Sequence, residues 1–305
     1  GSVGAGQAVT LRNSGTATLT VSGVTLVGAD ASQFAQTNNC TSVAAGGSCT
    51  ILVTFTPTSA GAKSATLSVS SNASGSPHAV TLSGVGLGLG DAASTAARAA
   101  DELKRSRPEL VSGVYWFDPD GAGGNAPFQA YADLSTNGGG WLQVRRVAGA
   151  GGWFPTDDNL TGQSAYNASF ANEKNSVTHW SLKFDYFVDA STDYMFAAGD
   201  GSAWCVIKRG ANNFNGVTSG SDLATQRILT TPVLASFGVG VSAGGLTNVL
   251  SRSQPEDPWI GCEGGHDLNQ SKMLYGEAGF SGYTAFKNSH NGINVFVRAG
   301  IAANP

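Results

Sequence analysis

Between residues 7 and 85 apolar side chains return at every second position in short runs: Val9/Leu11, Ala17/Leu19/Val21, Val24/Leu26, Ile51/Val53/Phe55, Ala65/Leu67/Val69 and Val80/Leu82. A period of two places one set of side chains on one face of a pleated strand. Turn formers stand between the runs, at Asn13-Ser14-Gly15, Ala45-Gly46-Gly47, Pro57 to Gly61 and Asn72 to Pro77. About six short strands punctuated in this way predict a β-sandwich over residues 1–88, with one packed face on each sheet.

The pattern changes after a glycine-rich stretch at 84–90. Residues 91–105 are rich in alanine and read as the best helix of the chain, within a linker over 89–107. Asp91 is placed to cap its N-terminus, Lys104, Arg105 and Arg107 suit the C-terminal dipole, and Pro108 ends it. Leu103 is its one large apolar residue. A rigid spacer or a docked helix fits that face; an oligomerising neck would need larger residues at heptad positions.

From 108 to 305 strand-like runs return at Val114–Phe117, Phe128–Leu134, Trp141–Val144, Trp180–Phe187, Trp204–Ile207, Val233–Val241 and Ile293–Val297. Long loops of Gly, Asn, Ser and Asp join them, the longest from Ser251 to Asn291. Loops of more than about 12–15 residues in a compact domain are usually functional. The expected architecture is mostly β in two domains: a sandwich, a short helical linker and a loop-rich α+β domain.

Composition narrows the function. Charged residues make up 12% of the 305 and the net charge is −4, with no basic cluster of the kind that follows a phosphate backbone, so no nucleic-acid partner is expected. No apolar run reaches the roughly 18 residues that cross a bilayer, so no membrane insertion is expected. Gly1-Ser2 reads as a cloning remnant, which makes an excised fragment the expectation. The four cysteines, Cys40, Cys49, Cys205 and Cys262, form no Cys-x-x-Cys pair, and their even number suits two disulfides in an oxidising compartment.

Two segments carry resemblances. The run from Cys40 to Cys49, followed by Val53-Thr-Phe-Thr-Pro57, resembles the immunoglobulin-like modules of bacterial surface proteins, the choice-of-anchor D or ASPM-SPD-2-Hydin group. In that reading a Cys40–Cys49 bridge clips a surface loop and the domain serves as a spacer. The stretch Ser112 to Arg146, with Ser112-Gly-Val-Tyr115, Tyr131-Ala-Asp133 and Gly138-Gly-Gly-Trp141, resembles the opening of a fibrinogen-related domain. Trp259-Ile-Gly-Cys-Glu-Gly-Gly-His266, Gly279-Phe-Ser-Gly-Tyr283 and Ile293-Asn-Val-Phe-Val-Arg298 resemble its intelectin-like branch. The family has Cys where this chain has Ala132, and no cysteine lies between Cys49 and Cys205, which points to a bacterial variant. The resemblance implies a Cys205–Cys262 bridge and a calcium-held carbohydrate site in the loops.

The residues of that region support the same chemistry independently. Glu256, Asp257, Glu263, Asp267 and Glu277 gather in a glycine-rich stretch, and calcium takes about six to eight oxygen ligands from carboxylates and carbonyls. Asp257, Glu263, Asp267 and Glu277 are the candidate metal ligands; a solvated acidic loop is the plain alternative. Trp259, Tyr275 and Tyr283 could wall a sugar, with His266 hydrogen-bonding a ligand hydroxyl, although single aromatics more often belong to cores. Asp118-Pro-Asp-Gly-Ala-Gly-Gly-Asn125 is a weaker metal candidate and reads better as a turn whose side chains bind their own backbone. No Gly-x-Ser-x-Gly elbow, His-Glu-x-x-His or Walker loop occurs. A Glu263/Glu277 glycosidase pair therefore ranks below a non-enzymatic role. The reading is a secreted or cell-surface adhesin or lectin, bacterial in character, that binds a glycan or host glycoprotein through calcium. The alternative is a protein-binding or structural module at a pilus or fibre tip, with any metal purely structural. Oligomerisation is compatible with either.

Overall fold

The computed structural model describes residues 5–149, 160, 162–209, 228–239, 246–250, 259–261 and 290–298. The chain divides into two compact units, Gly1–Asp91 and Ala92–Pro305. Both are built mostly of antiparallel strands.

In the first unit β1 (Gln7–Arg12), β2 (Leu19–Val27), β3 (Phe34–Asn38), β4 (Ser42–Val43), β5 (Ser48–Phe55), β6 (Gly61–Ser71) and β7 (His78–Gly86) form two sheets. Their orders are β1-β5-β3 and β4-β2-β6-β7. Burial alternates along β5 and β6, as the period of two predicts. Cys49, Ile51 and Val53 of β5 meet Ala65, Leu67 and Val69 of β6 in a core shared with Leu19, Phe34, Cys40 and Val43. The expected runs Ala17–Val21 and Val24–Leu26 merge, from Leu19 onward, into one strand, β2, with a bulge between Val21 and Gly23. Cys40 and Cys49 are bonded, with Cα atoms 5.3 Å apart.

The expected 15-residue helix is not continuous. A 3₁₀ turn at Ala93–Thr95 precedes α1 (Ala100–Ser106). Between them the Ala97 N–H donates to the Trp116 carbonyl, and the Asp118 N–H donates to the Ala97 carbonyl. Pairing with a strand edge claims the backbone that a helix would need, and tertiary context overrides alanine's propensity. Asp91 is no cap either, since its carboxylate accepts from the Gly88 N–H. Ala97, Ala100 and Leu103 are buried.

The second unit is built on one sheet. Its strands are β8 (Gly113–Phe117), β9 (Phe128–Asp133), β10 (Trp141–Val147), β11 (Trp180–Ser181), β12 (Asp193–Ala198), β13 (Trp204–Lys208), β14 (Ile228–Phe237), β15 (Leu246–Leu250), β16 (Trp259–Gly261) and β17 (Ile293–Arg298). Their order is β16-β15-β14-β13-β12-β17-β10-β9-β8, with β11 beside β10. The closing strand β17 thus enters the middle, between β10 and β12. The expected strand over 180–187 stops at Ser181, because the N–H groups of Phe184 and Asp185 turn to the Gly162 carbonyl.

Candidate functional site

The two stretches that carried the fibrinogen-like resemblance are hydrogen-bonded neighbours: Leu142 pairs with Val297, and Arg146 with Asn294. At the upper end of this pair Arg298 lies 4.0 Å over the Trp141 ring. It also donates to the carbonyls of Asn137 and Gly139, at 3.1 and 3.2 Å. Gly140 (φ 80°) is required there, because a Cβ would stand 2.9 Å from the Asp101 Cα of α1. The side chain of Asp133 fastens the same corner. It accepts from the N–H groups of Ser135 and Thr136 and from their hydroxyls, the Thr136 Oγ1 contact being 2.6 Å. Burial pushes the Asp133 carboxyl up, yet these hydrogen bonds outweigh it and hold the group below its ordinary 3.8. Ala132, where the fibrinogen-like resemblance would place a cysteine, is fully buried.

At the opposite end of β10 the fastening is a buried guanidinium. Arg146 Nε donates to the Ser176 carbonyl, Nη1 to Asn294 Oδ1 at 3.2 Å and Nη2 to the Asn291 carbonyl at 2.5 Å. Gln143 Nε2 shares Asn294 Oδ1, and Asn294 Nδ2 donates to Asn175 Oδ1. Asn175 in turn donates to the Gly199 carbonyl. This network seats two turns against each other, 199–202 after β12 and 290–292 before β17. The Gly199 N–H donates to the Gly292 carbonyl and the Asp200 N–H to the His290 carbonyl.

The side chains at these turns converge. His290 Nδ1 stands 2.9 Å from Asp200 Oδ2 and 2.9 Å from Ser202 Oγ, while the Ser202 hydroxyl donates to Asp200 Oδ1 at 2.6 Å. Desolvation raises the Asp200 carboxyl, but bonds from Ser202 and His290 more than offset it and leave it below 3.8. Ser, His and Asp are the residue types of a hydrolytic triad. In a triad the acid and the hydroxyl occupy opposite ring nitrogens. Here both sit on Nδ1, which makes the group a hydrogen-bonded clip partly open to solvent.

Two residues beyond Ser202, Trp204 pairs with Phe237 across β13 and β14. Their rings are 6.4 Å apart between centroids and 24° from parallel. Phe237 is 59% exposed. Sequence reading missed this pair and the turn beside it. The signals were present but faint: an Asp-Gly-Ser turn entering a strand, and Asn291-Gly292 before the closing strand.

Of the residues expected at the site, Trp259 begins β16, where its backbone pairs with Leu250. Asp257, Glu263, Asp267, Glu277, His266, Tyr275, Tyr283 and Cys262 lie outside the described residues. Cys205, fully buried on β13, is disulfide-bonded. The Asp118–Asn125 segment forms the expected turn: Asp118 Oδ1 accepts from the Gly121 N–H, and Asp120 Oδ2 from Asn125 Nδ2 and its N–H. Tyr186 is pushed up to about 12, first by burial and then by the charges of Asp120, Asp118 and Asp185. Among the described residues no group of three His, Cys, Asp or Glu side chains could hold a metal. Among them, too, no helix is long and apolar enough to cross a membrane.

No curated protein matches the chain. Among solved structures it is similar, at 12% identity and a TM-score of 0.25, to the secreted serine protease VesC from Vibrio cholerae, over 99% of this chain and 44% of that one. A score at that level establishes neither a shared fold nor a shared activity, and the chain spans less than half of that protein. Residues 3–79 match the model of the ASH family (Abnormal spindle-like microcephaly-associated, ASPM-SPD-2-Hydin), and the first unit is therefore an immunoglobulin-like domain.

Proposed function

We propose that the chain is a secreted or cell-surface recognition module in which the second unit, fibrinogen- and intelectin-like, binds carbohydrate with the help of calcium, and the immunoglobulin-like unit acts as a spacer. The observation that carries the reading is the adjacency of its two signature stretches, β10 paired with β17 and Arg298 seated on Trp141. Stretches that resemble one domain's opening and close should be neighbours if they belong to one domain, and they lie more than a hundred residues apart in sequence. The bonded state of Cys40, Cys49 and Cys205 agrees with an oxidising compartment. Asp257, Glu263, Asp267 and Glu277 are the proposed calcium ligands.

Calcium titration by calorimetry and thermal shift, followed by a glycan array with and without chelator, tests the proposal. A chelator-sensitive glycan signal is the expected result. A calcium-dependent rise in melting temperature with a blank array would favour the structural, protein-binding alternative instead. Glu277→Gln should weaken calcium binding while leaving the fold intact; an unchanged calcium affinity removes Glu277 from the site.

A further inference from the structure

We propose that Trp204 and Phe237, with Asp200, Ser202 and His290 at the adjoining turns, form a subsite for a neutral hexopyranose. The inference rests on the carbohydrate reading above and assigns it residues outside the acidic 256–277 stretch. Phe237 is 59% exposed, whereas Val233 on the same strand and Val206 on its neighbour are buried. Phe237, stacked on a half-buried Trp204, offers a flat apolar ring to solvent. The C–H face of a pyranose is flat and apolar too, with its hydroxyls at the rim, so such a platform needs polar partners at its edge.

The turn supplies them. Ser202 is two residues from Trp204, and Gly238, which follows Phe237, packs so closely on the Ser202 carbonyl that a Cβ there would collide with it. The platform and the polar clip therefore stand at the same end of β13 and β14. The Ser202 hydroxyl proton is already given to Asp200, so what the clip offers a sugar is acceptors, the remaining lone pairs of the Asp200 carboxylate and of Ser202 Oγ, to which ring hydroxyls can donate. Their side chains are partly open to solvent, 38% for Asp200 and 32% for His290. The clip is also held before any ligand arrives, because Arg146, Asn175 and Asn294 fix both turns from beneath. Preorganisation of this kind lowers the cost of binding.

Charge sets the sugar class. Asp200 is held ionised by its hydrogen bonds, and the chain is net negative. A sialic or uronic acid would bring a second carboxylate to this edge and be repelled, which leaves neutral sugars.

The test is calorimetric titration of the full chain, with and without EDTA, against methyl glycosides of glucose, galactose and mannose and against sialyllactose. Phe237→Ala should reduce affinity for the preferred neutral glycoside about three- to tenfold, while the calcium-induced shift in melting temperature stays as in the parent. Asp200→Asn should weaken neutral binding and lessen the discrimination against sialyllactose. Neutral-sugar binding untouched in both variants overturns the subsite and leaves the carbohydrate reading standing. A parent preference for sialyllactose overturns the neutral-sugar assignment. A parent that binds none of these probes and gives a blank array overturns both readings.

Discussion

Both units pack antiparallel strands on apolar side chains, but the second adds a buried polar network that the first lacks. In the first, the core is apolar from Leu19 to Val69 and is stapled by one disulfide. Its buried polar residues, Asn13 and Gln33, hydrogen-bond to backbone and side chains of nearby turns. In the second, all seven residues of β10 are buried, including Gln143, Arg145 and Arg146. A sandwich of the first kind is specified by area removed from water and weakens in proportion to what is cut away. A sheet of the second kind leans on hydrogen bonds between buried side chains and distant backbone, satisfied at Arg146 and Asn294 though not at Gln143 Oε1, and it weakens steeply when one partner is withdrawn.

Arg146→Met breaks the comparison at its sharpest point. It leaves Asn294 Oδ1 with one donor fewer and strips the carbonyls of Ser176 and Asn291 of theirs. At about 1–3 kcal/mol for each carbonyl left without its donor, the expected loss is about 2–6 kcal/mol, confined to the second unit. Urea denaturation followed by tryptophan fluorescence reads that unit, since every tryptophan of the chain lies beyond residue 91. A loss under about 1 kcal/mol would mean that the network is ornamental and that apolar burial carries both units alike.

The same contrast decides what was legible in the sequence. Alternation predicted the first unit well, because each inward position there is apolar: Ile51, Val53, Ala65, Leu67 and Val69 follow the rule without exception. The short β3 and β4 escaped because Ala-Gln-Thr-Asn and a two-residue strand carry no periodicity of their own. In the second unit nothing in the local sequence marks Gln143, Arg145 and Arg146 as buried, and only partners about 30 and 150 residues away make that burial possible. The clip at Asp200, Ser202 and His290 was illegible for the same reason: 88 residues separate Ser202 from His290, and the central placement of β17 brings them together. The helix over 91–105 failed where local propensity met a strand edge at Phe117.

Removing the staple sharpens the other side. The Cys40–Cys49 bridge spans a separation of 9 residues, and the loop-closure entropy of so short a ring amounts to about 2.5–3 kcal/mol. Cys40→Ala with Cys49→Ala should lower the stability of the first unit by that amount and leave the second unit's transition in place. Differential scanning calorimetry resolves this if the units melt separately. A shift of both transitions would show that the units are thermodynamically coupled, and the contrast between them would need to be rewritten.

The smallest expected effect is the one that depends on pH. Asp133 is buried, and its carboxylate gathers Ser112, Ser135 and Thr136 around the Gly-Gly-Gly-Trp corner. Its folded pKa is depressed below the ordinary 3.8, so the folded state binds the proton more weakly than the unfolded chain does. The stability it contributes is then fully present above about pH 4 and is lost as pH falls through the lower folded value. Asp133→Asn keeps the shape and one acceptor but replaces the oxygen facing Thr136 Oγ1, and about 1–2 kcal/mol should be lost near neutrality. In urea denaturation between pH 2 and 7 the parent should decline in acid more steeply than the variant, and the two curves should converge at the acid end. Curves that stay parallel over the whole range would show that Asp133 acts by shape alone, with its charge contributing nothing measurable to the corner.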